Sequence, residues 1–168
     1  MFKGFRSVVQ DVNARTLSFN IVGDIAVIDA ALIKELKRIG VEQNQTLRIS
    51  LHSNPSEALH NMLIYVNNGA PLNIHKHKQK EETYHIVEGK MAVVFFSQNG
   101  EIQRKVILSK EDSLLCRVPK NQYHTSIALS DFALYHESRV GPFEGGDSIM
   151  ANWCDNFSRD SLLRKVVE

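Results

Sequence analysis

From Thr46 to Arg139, apolar and polar positions alternate in short runs separated by turn-forming residues, the period expected of half-buried strands. Nine runs follow one another: 47–52 (LRISLH), 60–66 (HNMLIYV), 71–77 (PLNIHKH), 82–87 (ETYHIV), 91–97 (MAVVFFS), 101–108 (EIQRKVIL), 114–118 (LLCRV), 124–129 (HTSIAL) and 132–139 (FALYHESR). Asn99-Gly100, between two of them, is a strong hairpin turn because both residues tolerate positive φ. Short strands at near-regular spacing predict an all-β sandwich or barrel and not an α/β sheet. Ahead of them the period lengthens. Ala31, Leu32, Leu36 and Ile39 make one apolar stripe of a helix over 30–39, with Asp29 placed to cap its start and Gly40 at the stop position. Near the other end, Leu162, Leu163 and Val166 of SRDSLLRKVVE would share one side of a short helix.

Composition gives no reason to divide the chain. At 168 residues, 43% apolar and 23% charged, it suits one soluble domain with its own core. With no repeat, low-complexity block or long linker, the organisation expected is an N-terminal extension (1–45) carrying the helix, a β-barrel (46–145) and a C-terminal tail (146–168). Lys plus Arg number 20 and Asp plus Glu 19, so bulk charge provides no attraction for nucleic acid. MFKGFRSVVQDV lacks the unbroken apolar stretch of a secretory signal, and the most apolar window, Ile21 to Ile33, is interrupted by Asp24 and Asp29, so no membrane partner is expected. Cys116 and Cys154 are too few for a disulfide framework and lack C-x-x-C spacing. They read as reduced thiols of a cytoplasmic protein, Cys116 being a small core residue, and Trp153 reads as a packing anchor.

The chemistry concentrates in NIHKHKQKEETYHIVEG, residues 73–89. His75 and His77 are two apart, so on a strand they share a face and two imidazoles could share one cation. Seven histidines in this length produce about 0.3 such pairs by chance, so the pair needs context. The context is Glu82 five residues on, Gly89 seven beyond that, and Pro119 with His124 at the mouth of a later strand. A tight turn after His77 would bring the next strand back with Glu82, Tyr84 and Ile86 on one face and Gly89 in the turn, so that a carboxylate reaches the same cation. His85 alternates to the other face, where it could meet a second subunit, and Lys76, Lys78 and Lys80 alternate outward as a solvated rim.

HKHKQKEETYHIVEG resembles the first cupin motif: H-x-H, a short gap, E, six residues, G. VPKNQYH (118–124) resembles the second, P-x-G-x-x-H, with Asn121 at the glycine position, where Asn is the next best residue for positive φ. The asparagine usual four residues after that histidine is replaced by Ala128. The resemblance implies a double-sheet jelly roll, the cupin double-stranded β-helix, with a divalent transition metal (Fe, Mn, Zn or Ni) held by His75, His77, Glu82 and His124. Glu81 also satisfies the loose spacing, but only Glu82 keeps the six-residue gap to Gly89.

Over about residues 27 to 155, the order RISLHSNPSEALHNMLIYV, HKH, ETYHIVEGKMAVVFFSQNGEI, PKNQYHT and ESRVGPF…ANW is similar to that of WbuC-type cupin metalloproteins. Those are bacterial proteins often encoded with genes for surface polysaccharide and O-antigen synthesis. Their R-x-x-x-H element maps onto Arg48 and His52, which could grip an anion and shuttle a proton or could be a structural pair. Tyr84 is either a core ring or a catalytic hydroxyl near the metal, and His136 either an ordinary strand histidine or a substrate-binding side chain lining the cavity. The resemblance thus implies a metal-binding cupin that takes a small-molecule, carbohydrate-like substrate, pairs as a homodimer and carries out an isomerase-like proton transfer on a sugar or nucleotide-sugar. An Fe- or Mn-dependent dioxygenase and a non-enzymatic ligand-binding barrel fit the same ligands.

Overall fold

The computed structural model describes residues 2, 5, 7–14 and 16–168. In chain order the elements are β1 (Val8–Asp11), β2 (Leu17–Ile21), α1 (Ala30–Gln43), β3 (Leu47–Ser50), β4 (Leu59–Asn67), β5 (His75–His77), β6 (Glu82–Phe96), β7 (Ile102–Leu108), β8 (Leu115–Val118), β9 (Tyr123–Val140), β10 (Ser148–Met150), a 3-10 turn (Cys154–Asn156) and α2 (Arg159–Val167). The expected all-β jelly roll with a helix before it and a short extension after it is what the chain forms.

Two long strands make the barrel. β6 pairs with β9 along its whole length, Glu82 opposite Arg139 at one end and Phe96 opposite Tyr123 at the other. On their outer sides both strands change partners midway. β6 takes β8 along Glu82–His85 and β7 along Met91–Phe96, while β9 takes β5 at His124 and β4 from Phe132 to Val140. The strands are thereby shared between two curved layers.

The sequence reading placed loops where the strands only bend. Residues 82–87 and 91–97 belong to one strand, as do 124–129 and 132–139. Gly89 lies in no turn. It sits at φ +82° within β6, between register shifts at Ile86/Glu88 and Gly89/Met91, so this turn-type residue forms a bulge that bends a continuous strand. Asn99-Gly100 does close a hairpin, β6 to β7, with Gly100 at φ +89°.

The N-terminal segment also joins the sheet. β1 and β2 form an antiparallel pair, and β2 runs parallel to β3, with α1 as the crossover between them. Asp29 caps α1 by accepting from the Leu32 backbone N–H at 2.8 Å. The helix does not stop at Gly40. It continues to Gln43 and ends at Asn44 in the left-handed region (φ 48°), while Gly40 is buried where a Cβ would lie 2.4 Å from the Tyr65 ring. The glycine serves close packing of helix on strand. The buried stripe is Leu32, Leu36, Ile39 and Gly40, with Ala31 exposed.

Three apolar layers result. The barrel interior holds Met62, Ile64, Val66, Tyr84, Ile86, Met91, Val93, Cys116 and Tyr135; α1 covers one outer face through Leu63, Tyr65 and Leu134. On the other, α2 buries Leu162 and Val166 against Ile74, Val94 and Phe96. Ser158 and Ser161 cap α2 reciprocally. Trp153 anchors this layer between Phe96, Tyr123 and Phe157 and donates from Nε1 to the Gln98 carbonyl at 2.9 Å. Both cysteines are free thiols.

Candidate metal centre

His75 and His77 share β5, and His75 stands directly opposite His124 on β9. Glu82 opens β6 beside Arg139. The His75, His77 and Glu82 donor atoms lie within 4.8 Å of one another, a grouping able to hold a metal ion. His124 joins them: its Nε2 is 3.3 Å from Glu82 Oε2, and its ring centroid is 4.6 Å from that of His75. Asn121 adopts the left-handed conformation (φ 60°) expected of the glycine position, and its backbone N–H donates to the His77 carbonyl at 2.6 Å, docking the loop that leads into His124.

The hydrogen bonds of the imidazoles decide their chemistry. Each Nδ1 faces an acceptor: the Asn73 carbonyl at 3.0 Å for His75, Asp147 Oδ2 at 3.1 Å for His77, and the Gln122 carbonyl at 2.9 Å for His124. An acceptor there requires the proton on Nδ1, which leaves a lone pair on Nε2 of each neutral ring. His77 Nε2 is buried without a hydrogen bond, although Glu82 Oε1 lies 2.9 Å away. Lone pairs and a carboxylate crowded together repel unless a cation stands among them. The donor set therefore fits a divalent metal, and nitrogen with oxygen ligation leaves its identity open among the transition metals.

Without a cation, the groups of the cluster titrate in different directions. Burial opposes the charge of Glu82, but His124 and His77 outweigh it and hold its pKa well below the ordinary carboxylate value. Burial likewise opposes the His77 imidazolium, yet the adjoining Glu82 raises its pKa overall. For His75, burial and then the neighbouring His124 lower the pKa to about 4. His75 therefore refuses, when folded, a proton that the unfolded chain accepts below about pH 6.5. Its contribution to stability is complete above that pH and is lost as pH falls toward 4. In the metal-free protein, thermal melts should drop through this window, and His75→Gln should flatten the drop; an unchanged slope would count against a buried neutral His75.

The other expected site residues divide. Tyr84 is at the centre: its hydroxyl donates to Glu82 Oε2 at 2.7 Å and lies 3.2 Å from His124 Nε2. Burial, reinforced by the charges of Glu82 and Glu137, raises its pKa well above that of a free phenol. Arg48 faces the interior but meets Ser18 Oγ (2.8 Å) and not the histidine cluster. His52 stacks flat on His60 (4.1 Å, 6°). His60 stands opposite Arg139, which stands opposite Glu82, so His52 is separated from Glu82 by His60 and Arg139. His136 does not line the interior. It alternates away from Tyr135 and Glu137, onto the outer face with His85, and meets Asn61 Oδ1 at 3.0 Å. Glu81 also points outward, pairing with Arg117 at 2.6 Å.

Lys80 departs from the solvated rim. It is buried, and its ammonium donates to the Pro142 carbonyl. That bond holds the 141–147 loop against the site. The same loop supplies Asp147, whose other oxygen accepts from the Gln79 N–H at 3.1 Å. Sequence reasoning missed Asp147; the available signal was an acidic residue after Gly145-Gly146, close enough to β10 to return beside the HKH strand that β10 pairs with. Asp147→Asn should weaken metal binding by about 10- to 100-fold, because the amide cannot reproduce the carboxylate's hold on the His77 proton. Competition with a calibrated chelator measures this.

Comparison with solved structures bears on this architecture. The capsular polysaccharide assembling protein CapF from Staphylococcus aureus superposes with a TM-score of 0.52 at 19% identity, over 60% of this chain and 28% of CapF. CapF bound to the inhibitor 3-isopropenyl-tropolone gives 0.52 at 19% identity, over 61% and 30%. The chain has the cupin fold. It spans less than a third of the CapF chains it matches. Protein SO0799 from Shewanella oneidensis also aligns, with a TM-score of 0.48 at 19% identity, over 67% of this chain and 70% of that one. A family model described as a domain of unknown function (DUF6016) matches residues 28–108, just under half the chain, taking in His75, His77 and Glu82 but not His124. No curated protein matches the chain. Among the described residues no helix is long and apolar enough to cross a membrane.

Proposed function

We propose that this protein is a metal-dependent cupin enzyme of the WbuC type, with His75, His77, Glu82 and His124 as ligands and a sugar or nucleotide-sugar of bacterial surface polysaccharide synthesis as substrate. The observation that carries this reading is the common orientation of the three imidazoles, each pinned through Nδ1 with Nε2 left for the centre. A divalent cation bound there would polarise a carbonyl or hydroxyl oxygen of the substrate.

The chain's own residues supply the proton chemistry. Tyr84 stays a phenol at neutral pH, so its Oη holds a proton 2.7 Å from Glu82 and within the barrel, positioned to exchange it with a substrate oxygen. Tyr84 steadies the Glu82 carboxylate by donating to Oε2, and Asp147 fixes His77 through its Nδ1. The apolar interior below, with Ile86, Met91 and Val93, keeps bulk water from the carbon skeleton. Proton transfer next to a polarised carbonyl is the isomerase-like reaction that these groups suit. The sugar reading is supported by the polysaccharide-assembly description of CapF and by the WbuC-like order of motifs.

The test is exchange of substrate carbon-bound hydrogen with deuterium in a panel of keto- and aldo-sugars and their nucleotide-linked forms. Metal-loaded protein should catalyse it, and Tyr84→Phe should lower the rate while keeping the metal. Oxygen consumption in place of exchange would favour a dioxygenase. Ligand binding unaffected by His77→Ala, in protein carrying no stoichiometric metal, would favour a non-enzymatic barrel.

A further inference from the structure

Arg139 is neither one of the four proposed ligands nor a proton carrier beside them. It projects from β9 into the barrel between His60 and Glu82, with Nη1 3.6 Å from Glu82 Oε1. Among the described residues its buried Nε meets no hydrogen-bond partner, an uncommon state for a group whose planar fork usually meets an oxyanion. Phe143, on the 141–147 loop, covers it at 5.9 Å from the guanidinium carbon. Its side chain keeps 13% exposure, so it is open to the mouth.

A bound cation would shift the charge balance around Arg139 further toward positive. Arg139 and Arg48 face the interior with Glu82 and Glu137, and Glu82 is the carboxylate that a divalent cation would take. Two guanidiniums, the Lys80 ammonium and a dication against Glu82, Glu137 and Asp147 would leave an excess of two positive charges around the site. Glu137 forms no ion pair within 4.0 Å with either arginine among the described residues, and Arg48 is tethered through Nε to Ser18. Arg139 would then share Glu82, its one ion-pair partner among the described residues, with the cation.

We infer that Arg139 anchors an anionic substituent of the substrate, a carboxylate or phosphate a few bonds from the oxygen that meets the cation. This rests on the metal-centred reading and narrows its substrate class to acidic sugars or sugar phosphates. The guanidinium holds the anion by two parallel N–H bonds, which fixes how far the rest of the molecule extends toward Tyr84.

Calorimetric titration of metal-loaded protein with D-glucuronate, D-glucose 1-phosphate and uncharged D-glucose tests the inference. At least one anion should bind about tenfold or more tightly than glucose, and Arg139→Gln should reduce it to the glucose level with metal content unchanged. If that variant does not fold, Arg139→Lys keeps the charge without the fork and should retain only part of the preference. Equal affinities for all three probes, or no measurable binding of any, would overturn the inference. So would an Arg139→Gln protein that loses metal while keeping its preference for anions, since the side chain would then merely balance Glu82. Titrating wild-type and His77→Ala protein without added metal separates the two proposals: an Arg139-dependent preference for anions that is the same in both, with neither taking up metal, leaves the anion site standing and removes the metalloenzyme.

Discussion

Replacing Glu82 by alanine should empty the metal centre, lowering affinity at least about a hundredfold, beyond the 10- to 100-fold typical of losing a supporting hydrogen bond. Glu82 is the sole carboxylate in the cluster with His75 and His77, and both its oxygens are engaged, Oε1 against His77 (2.9 Å) and Oε2 against His124 (3.3 Å) and Tyr84 (2.7 Å). Removing it leaves three neutral nitrogen donors without the anionic charge that offsets a dication in a buried site. Arg139, 3.6 Å away, would also lose its nearest carboxylate. Glu81→Ala is the matched control, because Glu81 faces solvent on Arg117 and should leave metal content unchanged. Elemental analysis of both variants, purified without an affinity tag or chelator, reads the result. Full occupancy in Glu82→Ala would refute the ligand assignment, and loss in Glu81→Ala would move it by one residue.

That contrast also shows why the centre was legible in the sequence. Strand parity puts 75 with 77, and 82 with 84, and sends 85 to the other face without any coordinates, since the period of two admits no intermediate, while the six-residue gap to Gly89 selects Glu82 over Glu81. Asn121 was readable for the same kind of reason: positive φ is a local demand, and few residues satisfy it. Residues placed by tertiary contacts were not legible. Asp147 is 70 positions from His77, and only the pairing of β10 with β5 brings them together. Parity served less well for Lys80, which follows the strand and follows its loop instead, and for His136, where parity alone could not say which face was inward. On β9 the buried neighbours Tyr135 and Glu137 settle that question and send Arg139 inward with them.

The strand boundaries failed at Gly89, and there the structure predicts a large cost. Gly89→Ala should destabilise the protein by about 3 kcal/mol or more, near the upper end for single substitutions. Two costs combine. At φ +82° an L side chain meets its own backbone, about 1–2 kcal/mol. The added Cβ would also stand 2.3 Å from the Phe132 carbonyl oxygen and 2.9 Å from Ser130 Oγ, and the first of these is backbone of the facing strand, which cannot rotate away. Phe132 and Ser130 belong to the segment of β9 that bends with β6, so relief requires opening the corner where both strands change partners. Gly69→Ala is the comparison: its Cβ meets only Asn67 Oδ1 at 3.7 Å, an ordinary contact, and the change should stay within about 1 kcal/mol. Thermal unfolding of the metal-free proteins measures the pair, with the Gly89 variant melting about 10 °C lower by the usual scaling for this size. Equal stabilities would mean that the corner tolerates a side chain and that the bend of β6 is set elsewhere. If the bend does depend on Gly89, Glu82 and His124 shift with the two strands that carry them, and the surviving folded Gly89→Ala protein should bind metal more weakly than wild type although no ligand has changed.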